Sequence, residues 1–311
     1  MSQLKAVQDK LLTNVSNKIV PMGYVSEMVL PRLSVVNSTG KIGNYGNGHL
    51  RIESTIMGGK GKAPRVDVTT RSSNGYDITR HGLESVLTPD DFANTDQPFD
   101  ARQDETTALT TMLWLAREQG LATALTATAT ITQNVTLSGT SQFSDFANSD
   151  PLGRFLTARK TIRDATGLPP NGVVMDWEVA EQLRYHPGIL EALGFKDNRA
   201  GQLSDQDLAN AMKIDRLLIG KAVKNSAVEG QTDSITAVWG KDIVFFHSPS
   251  TPSKMQVSLG YNVEYAGRAP RKVFRAPVTN PPESESIIVV DDYQQLLTNT
   301  GAAYLIKDAI A

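Results

Sequence analysis

Between Leu168 and Gly194 the chain reads LPPNGVVMDWEVAEQLRYHPGILEALG, and few local structures accommodate that order. Pro169-Pro170-Asn171-Gly172 is a breaker cluster, and the Val173-Val174-Met175 that follows is a short apolar run of strand character. Asp176 is placed to cap a helix whose inner positions are Val179, Ala180 and Leu183, with Glu178 and Glu181 near its positive end. His186 precedes Pro187, which disfavours helical backbone at His186 and ends that helix. Pro187 then opens a second short helix and Gly194 closes it. Strand, capped helix, proline break and second helix make a compact α+β unit, with no catalytic constellation among its residues.

The whole chain has 311 residues, enough for one large or two modest domains with a real core. Charged residues make up 21% and apolar ones 40%, an ordinary globular balance. A net charge of −2 offers no global polycation for nucleic acid or an anionic membrane. Cysteine is absent, which removes disulfides, thiolate metal sites and cysteine nucleophiles. No apolar run approaches the roughly 18 residues of a membrane span, and the N-terminus lacks a hydrophobic signal core. The protein is therefore expected to be soluble and made in a cytosol such as that of a bacterium.

Residues 1–20 read as an amphipathic helix, with Leu4, Leu11, Leu12 and Val15 at helical spacing. Taken alone, that is a surface helix. Residues 19–36 hold two prolines among strand-like residues and suit an extended segment. Residues 37–48 contain four glycines and three asparagines, and read as a loop or hinge. Two alternating runs follow, 50–56 and 65–71, whose main apolar side chains are Ile52, Ile56, Val66 and Val68. So polar a ribbon cannot hold itself together in isolation and should lie on another surface. Its tip, Gly58-Gly59-Lys60-Gly61-Lys62-Ala63, is no phosphate loop, because Ala63 stands where Ser or Thr is needed and no helix pattern follows.

Asn74-Gly75 predicts a turn and residues 76–83 a strand. The longest predicted helix covers about 100–122, with Asp100, Asp104 and Glu105 at its start and Leu109, Met112, Leu113 and Ala116 on one face. Trp114 and Leu115 widen that face, so both sides should be covered. Residues 127–137 alternate threonine with small apolar residues, as a strand would. A helix is predicted from Asp150-Pro151 to Gly167, another after Ser204, and strands at 217–219, 235–239, 243–246, 287–290 and 303–306. Residues 267–282 carry Arg268, Arg271, Lys272 and Arg275 within eight positions. These are either solvated or paired with carboxylates, or else they bind nucleic acid.

The four histidines, His49, His81, His186 and His247, show no HxxxH or HExxH spacing, so no metal site is expected. Asp90-Asp91 and Asp291-Asp292 are adjacent acids of the kind that cap turns. There is no GxSxG elbow and no GxGxxG fingerprint after a strand. The sequence thus predicts no enzyme, no metal and no cofactor.

Several of these residues also carry a resemblance. The order Val173-Val174-Met175-Asp176, Val179-Ala180-Glu181-Gln182-Leu183, His186-Pro187-Gly188-Ile189 is followed by Val238-Trp239-Gly240-Lys241-Asp242-Ile243-Val244 and by the terminal 301–309 segment. Together they resemble tailed-phage major capsid proteins of the Hong Kong 97-type fold.

The resemblance implies an α+β layout: an N-terminal arm at 1–49, an extended hairpin loop at 50–80, and a peripheral domain at 81–149 with its spine helix near 100–122. An axial domain at 150–279 and a return to the peripheral domain at 280–311 complete it. It also implies hexamers and pentamers assembling into an icosahedral shell around double-stranded DNA without sequence-specific contact. Scaffold, portal and decoration proteins would be partners, no membrane is involved, and the product is a virion assembled in the host bacterial cytoplasm.

By the same resemblance Ile52, Ile56, Lys60, Lys62, Val66 and Val68 would touch a neighbouring subunit, and Leu4, Leu11, Leu12 and Val15 would belong to an arm that does the same. Some members link a loop lysine to an asparagine covalently. No motif here identifies a partner for Lys60 or Lys62, and no link is expected. The chain begins at Met1, so a cleaved scaffolding domain ahead of the arm is not expected either. The alternatives are an encapsulin-like nanocompartment shell, and a soluble α+β enzyme with a dispersed site.

Overall fold

The computed structural model describes residues 6–45, 50, 52, 55–56, 63, 71–94, 100–194, 203–228, 230–252, 256–268, 270–279 and 282–311. In chain order the elements are β1 (Val7–Gln8), α1 (Lys10–Lys18), α2 (Ser26–Val29), β2 (Arg32–Val35), β3 (Thr39–Tyr45), β4 (Arg71–Asp77), β5 (Thr79–Leu87), α3 (Pro89–Ala93) and α4 (Ala101–Thr126). Then come β6 (Asn134–Thr136), α5 (Pro151–Thr166), β7 (Gly172–Asp176), α6 (Trp177–Arg184), α7 (Pro187–Ala192), α8 (Asp205–Met212), β8 (Arg216–Gly220), β9 (Val223–Asn225) and β10 (Ile235–Ala237). The chain ends with β11 (Ile243–Phe246), β12 (Gly260–Tyr265), β13 (Lys272–Val278), β14 (Ser284–Leu297) and β15 (Ala303–Lys307).

Two sheets organise these elements. The five-stranded sheet runs β6-β15-β11-β7-β8, with β7 parallel to β8 and antiparallel to β11. The Leu168–Gly194 stretch supplies β7, an inner strand between β11 and the edge strand β8. β7 is buried at every residue, so both of its faces need cover, which is why its sequence is a continuous apolar run and not an alternation. Val173 and Met175 face a layer formed by α5–α8, against Phe155, Ile162, Val179, Leu183, Leu208 and Met212. Val174 faces the opposite way, with Val244, Phe246 and Leu305, toward Leu121, Ala122 and Leu125 of α4 and Val29 of α2.

The second sheet is a long ribbon in which β14 pairs with β5 on one side and with β13 and β12 on the other; β1 and β2 add to β13 and β12. Leu109 and Leu113 of α4 and Leu12 of α1 cover it, packing on its own Val273, Ile287 and Val289. α4 thus serves both sheets. From Leu109 to Leu125 is sixteen residues, or about 24 Å of helix, enough to lay one end on each.

The capping residues behave as their chemistry demands. Asp9, Asp100, Asp150 and Asp176 each accept a hydrogen bond from a first-turn N–H of the helix they precede, and α5 stops at Gly167 with φ of 77°. Ser204 and Asp207 form the reciprocal capping box of α8.

Several expectations are corrected. The first helix begins only at Lys10, because residues 7–8 pair with β13. Residues 39–45, expected as loop, form a strand whose ladder with β4 runs from Thr39 opposite Asp77 to Tyr45 opposite Arg71. Asn74-Gly75, expected as a turn, lies inside that ladder, and the Asn74 amide donates to the Thr298 carbonyl at 2.9 Å. α4 continues to Thr126, since Leu121, Ala122 and Leu125 have a second sheet to cover. Of the strand expected over 127–137 only 134–136 is extended; Thr130 and Ile131 N–H turn back on the Ala127 carbonyl.

The strands expected at 235–239 and 243–246, on either side of Gly240, do not pair with each other. β10 pairs with β9, whereas β11 pairs with β7 and β15. Within 280–311, β14 belongs to the ribbon beneath α4, but β15 enters the five-stranded sheet between β6 and β11.

Candidate functional site

The nearest approach to a catalytic pair is Ser149 Oγ, 2.9 Å from His186 Nε2. Its polarity is wrong for a nucleophile. His186 Nδ1 accepts from the Gly188 N–H at 3.1 Å and so carries no proton. The proton sits on Nε2 and is donated to Ser149, whose own hydroxyl donates to the Asp145 carbonyl at 2.6 Å. A base that already gives its proton to the serine cannot remove one from it. His186 is instead the N-cap of α7, and its burial pulls the imidazole pKa down, opposed by the smaller effect of Asp150. Among the described residues no group of three His, Cys, Asp or Glu side chains is arranged to hold a metal ion.

The chemistry-bearing residues gather elsewhere, in a polar node where α1, α2, α4, β12 and β14 meet. Arg117 and Glu118 are adjacent on α4, and both are buried. Arg117 places Nη1 3.1 Å from Glu27 and 3.7 Å from Asp291, and Nη2 3.2 Å from Glu264. Arg271 binds Asp291 at 3.2 Å and donates to the Ser16 carbonyl of α1 at 3.3 Å. Arg32 adds a third guanidinium on Glu27 and Glu264. Arg32, Arg117 and Arg271 thus face three carboxylates, a balance that makes burial of the group tolerable.

Tyr293 lies between Arg117, 4.5 Å from its ring centre, and His81, stacked at 4.4 Å. Burial pushes its hydroxyl up to about 12. Among the described residues Glu118 has no cation within ion-pair distance. It accepts from the Val25 and Ser26 N–H groups at 3.0 and 2.9 Å, and from the Trp239 indole at 2.7 Å. α2 has no side-chain cap of its own, so Glu118 caps it from another helix.

The contact residues expected from the sequence are scattered. Leu4, Lys60, Lys62, Val66 and Val68 lie outside the described residues. Ile52 and Ile56 are 101% and 86% exposed. Leu11 is 65% exposed and Val15 half-buried. Leu12 is a correction: it is buried in its own chain against Leu109, Leu113 and Val273, because the amphipathic helix finds an apolar surface at home.

The basic cluster is in part paired with carboxylates, one of the two readings its sequence left open. Arg271 is buried on Asp291, and Arg275 is taken by Asp9 at 2.8 Å and Glu285 at 3.2 Å. Arg268 approaches Asp292 at 3.6 Å, and Lys272 is half-buried. Reading from sequence missed the node. A signal was available: Arg117-Glu118 sit mid-helix, and an apolar pattern continues past them through Leu121, Ala122 and Leu125.

No protein-family model matches the chain. It is 24% identical over 281 residues to the major capsid protein of Burkholderia phage BcepMu, covering 86% of each chain. It is 24% identical over 298 residues to the major capsid protein of Pseudomonas phage JBD67, covering 92% of each. In structure it is similar to a phage-related protein from Bordetella bronchiseptica RB50, with a TM-score of 0.74, 23% identity and 98% of both chains covered. It is also similar to the mature capsid of bacteriophage PhiM1, with a TM-score of 0.54, 13% identity, and 93% of this chain and 88% of that one covered. The mixed α+β architecture is therefore one that phage capsid proteins share.

Proposed function

We propose that this chain is the major capsid protein of a bacteriophage and that it acts by self-association, without making or breaking bonds. The observation that supports this most is the extent of the likeness. Two phage major capsid proteins align over nearly the whole length of both partners, so the similarity is to a complete architecture and not to one motif.

Copies would form pentamers and hexamers of an icosahedral shell around double-stranded DNA, giving a virion assembled in the host cytoplasm with scaffold, portal and decoration proteins as helpers. In the proposed layout α4 is the spine, the β14 ribbon the peripheral region, and the five-stranded sheet with α5–α8 the axial region. The β3–β4 hairpin is the extended loop, and the near-complete exposure of Ile52 and Ile56 supports its reaching a neighbour. Contact with DNA would be weak: the net charge is −2, and Arg271 and Arg275 already have carboxylate partners.

The test is expression of the chain followed by sizing, negative-stain microscopy and nuclease treatment. The proposal expects shells from the protein alone or from capsomers it forms, and nuclease-protected DNA in shells from infected or induced cells. Particles that enclose protein cargo and no DNA would favour a nanocompartment instead.

A further inference from the structure

A groove of about 520 Å³ lies between α2 and the turn after β11, lined by Met28, Pro31, Arg32, Arg216, Leu218, Pro249, Ser250 and Pro252 beside Glu27. Its walls are mostly apolar, and its two guanidiniums differ. Arg32 is held by Glu27 and Glu264. Among the described residues Arg216 hydrogen-bonds only neutral oxygens: Ser248 O at 2.6 Å, Asn171 Oδ1 at 3.1 Å and Met28 O at 3.4 Å. It has no carboxylate within ion-pair distance among the described residues, and exposed Asp215 acts on it only through space. A half-buried guanidinium without a counter-ion, set among prolines and a methionine, suits an aromatic side chain carried next to a carboxylate.

This chain displays that combination. Trp177 is 51% exposed at the start of α6, and exposed Glu178 follows it with no ion pair of its own among the described residues. The two features cannot meet within one subunit. β7 and β8 are parallel, with Gly172 opposite Arg216 and Asp176 opposite Gly220. The groove therefore lies at the amino-terminal end of the pair and Trp177 just beyond its carboxyl-terminal end, on the order of 15 Å away along five residues.

We propose that the Trp177–Glu178 knob of one copy enters the Met28–Arg216–Pro249 groove of the next, with Glu178 on Arg216 and the indole against the prolines. This rests on reading the chain as a shell subunit and names one contact by which subunits join. Knob and groove are different patches of one subunit, so copies joined head to tail each give one and receive one, and that arrangement closes into a ring when the rotation permits. A buried Trp supplies about 150–250 Å² of contact. A stable interface needs roughly 800 Å² per partner, so the knob is an anchor within a wider contact.

Trp177→Ala and Glu178→Lys change only exposed positions and should leave folding intact by circular dichroism. Both should raise the subunit concentration needed for capsomers or shells by at least about tenfold. The chain has no cysteine, which permits a direct check. Particles of a Glu178→Cys, Ser250→Cys double variant, treated with a short bismaleimide, should give a ladder of covalent oligomers on denaturing gels. Either single-cysteine variant should give no ladder.

Wild-type shells, unaffected by the two substitutions and free of a ladder in the cysteine variant, would overturn this contact alone. A wild-type protein that forms no capsomer or shell at all, with scaffold and other phage components supplied, would overturn the shell reading with it.

Discussion

The carboxylate of Glu118 accepts a 2.7 Å hydrogen bond from the indole of Trp239, across 121 positions of sequence and inside the core. The same carboxylate binds two backbone N–H groups of α2, so one side chain of α4 fixes both the short helix beside it and the loop before β11. Removing it leaves three donors buried without an acceptor. Each such loss costs about 1–3 kcal/mol, so Glu118→Ala should lower subunit stability by at least about 3 kcal/mol. Trp239→Phe removes one donor and should cost less. Urea unfolding of the unassembled protein checks this, and near-additive losses in the double variant would contradict the coupling.

Leu12 and Leu11 are neighbours with opposite prospects. Leu12 is 2% exposed in the cluster with Leu109 and Val273, and Leu11 is 65% exposed. Leu12→Ala should cost the subunit about 2–5 kcal/mol, the range for emptying a well-packed aliphatic site. Leu11→Ala should leave subunit unfolding nearly unchanged. Equal effects would mean that α1 is not seated as described.

The neutral imidazole of His186 makes stability depend on pH. Its pKa is lowered by burial, so between the ordinary value near 6.5 and the lower folded value the unfolded chain binds more protons. The contribution is therefore present above about pH 6.5 and is lost as pH falls through the folded value. His186→Asn keeps an acceptor for the Gly188 N–H and cannot titrate. Its unfolding free energy should fall less between pH 7 and pH 5 than that of the native chain. Parallel profiles would rule the histidine out as the source.

How much of this was legible in the sequence depends on how local each cause is. The run from Pro169 to Gly194 gave strand, cap, break and second helix correctly, because each boundary is set within a few residues by a proline, a glycine or an acidic cap. Sheet membership was not local. Nothing near Gly240 says that β10 and β11 part company, or that β15 crosses to the other sheet, since those choices depend on partners far along the chain. Asn74-Gly75 misled because a turn dipeptide was outweighed by seven residue pairs of ladder with β3. Of the candidate site, exposure of Ile52 and Ile56 was foreseeable from a polar ribbon. The node at Arg117 and Glu118 was signalled only by the apolar pattern that continues past them, because adjacent charged residues in mid-helix read as solvent-facing until the neighbours that bury them are known.

The β3–β4 hairpin supplies a sharper separation of folding from assembly. Its ladder closes at the base with the Ile78 N–H to Ser38 O bond and joins the body through the Asn74 amide on Thr298 and the Asp77 N–H on Gln294. Replacing residues 52–68 with a short Gly-Ser linker leaves these anchors untouched. Melting of the unassembled subunit should shift by less than about 0.5 kcal/mol, the range of surface changes, while shell formation is lost. A destabilised subunit would show the segment to be core, and normal shells would show it to be dispensable surface.

The central claim is that this chain is a shell subunit, and imaging the protein by electron microscopy after purification tests it most directly. The account predicts closed icosahedral particles, or pentamers and hexamers that convert to them on concentration. A uniform small oligomer that never assembles further, at any concentration and with scaffold and other phage components supplied, would contradict it.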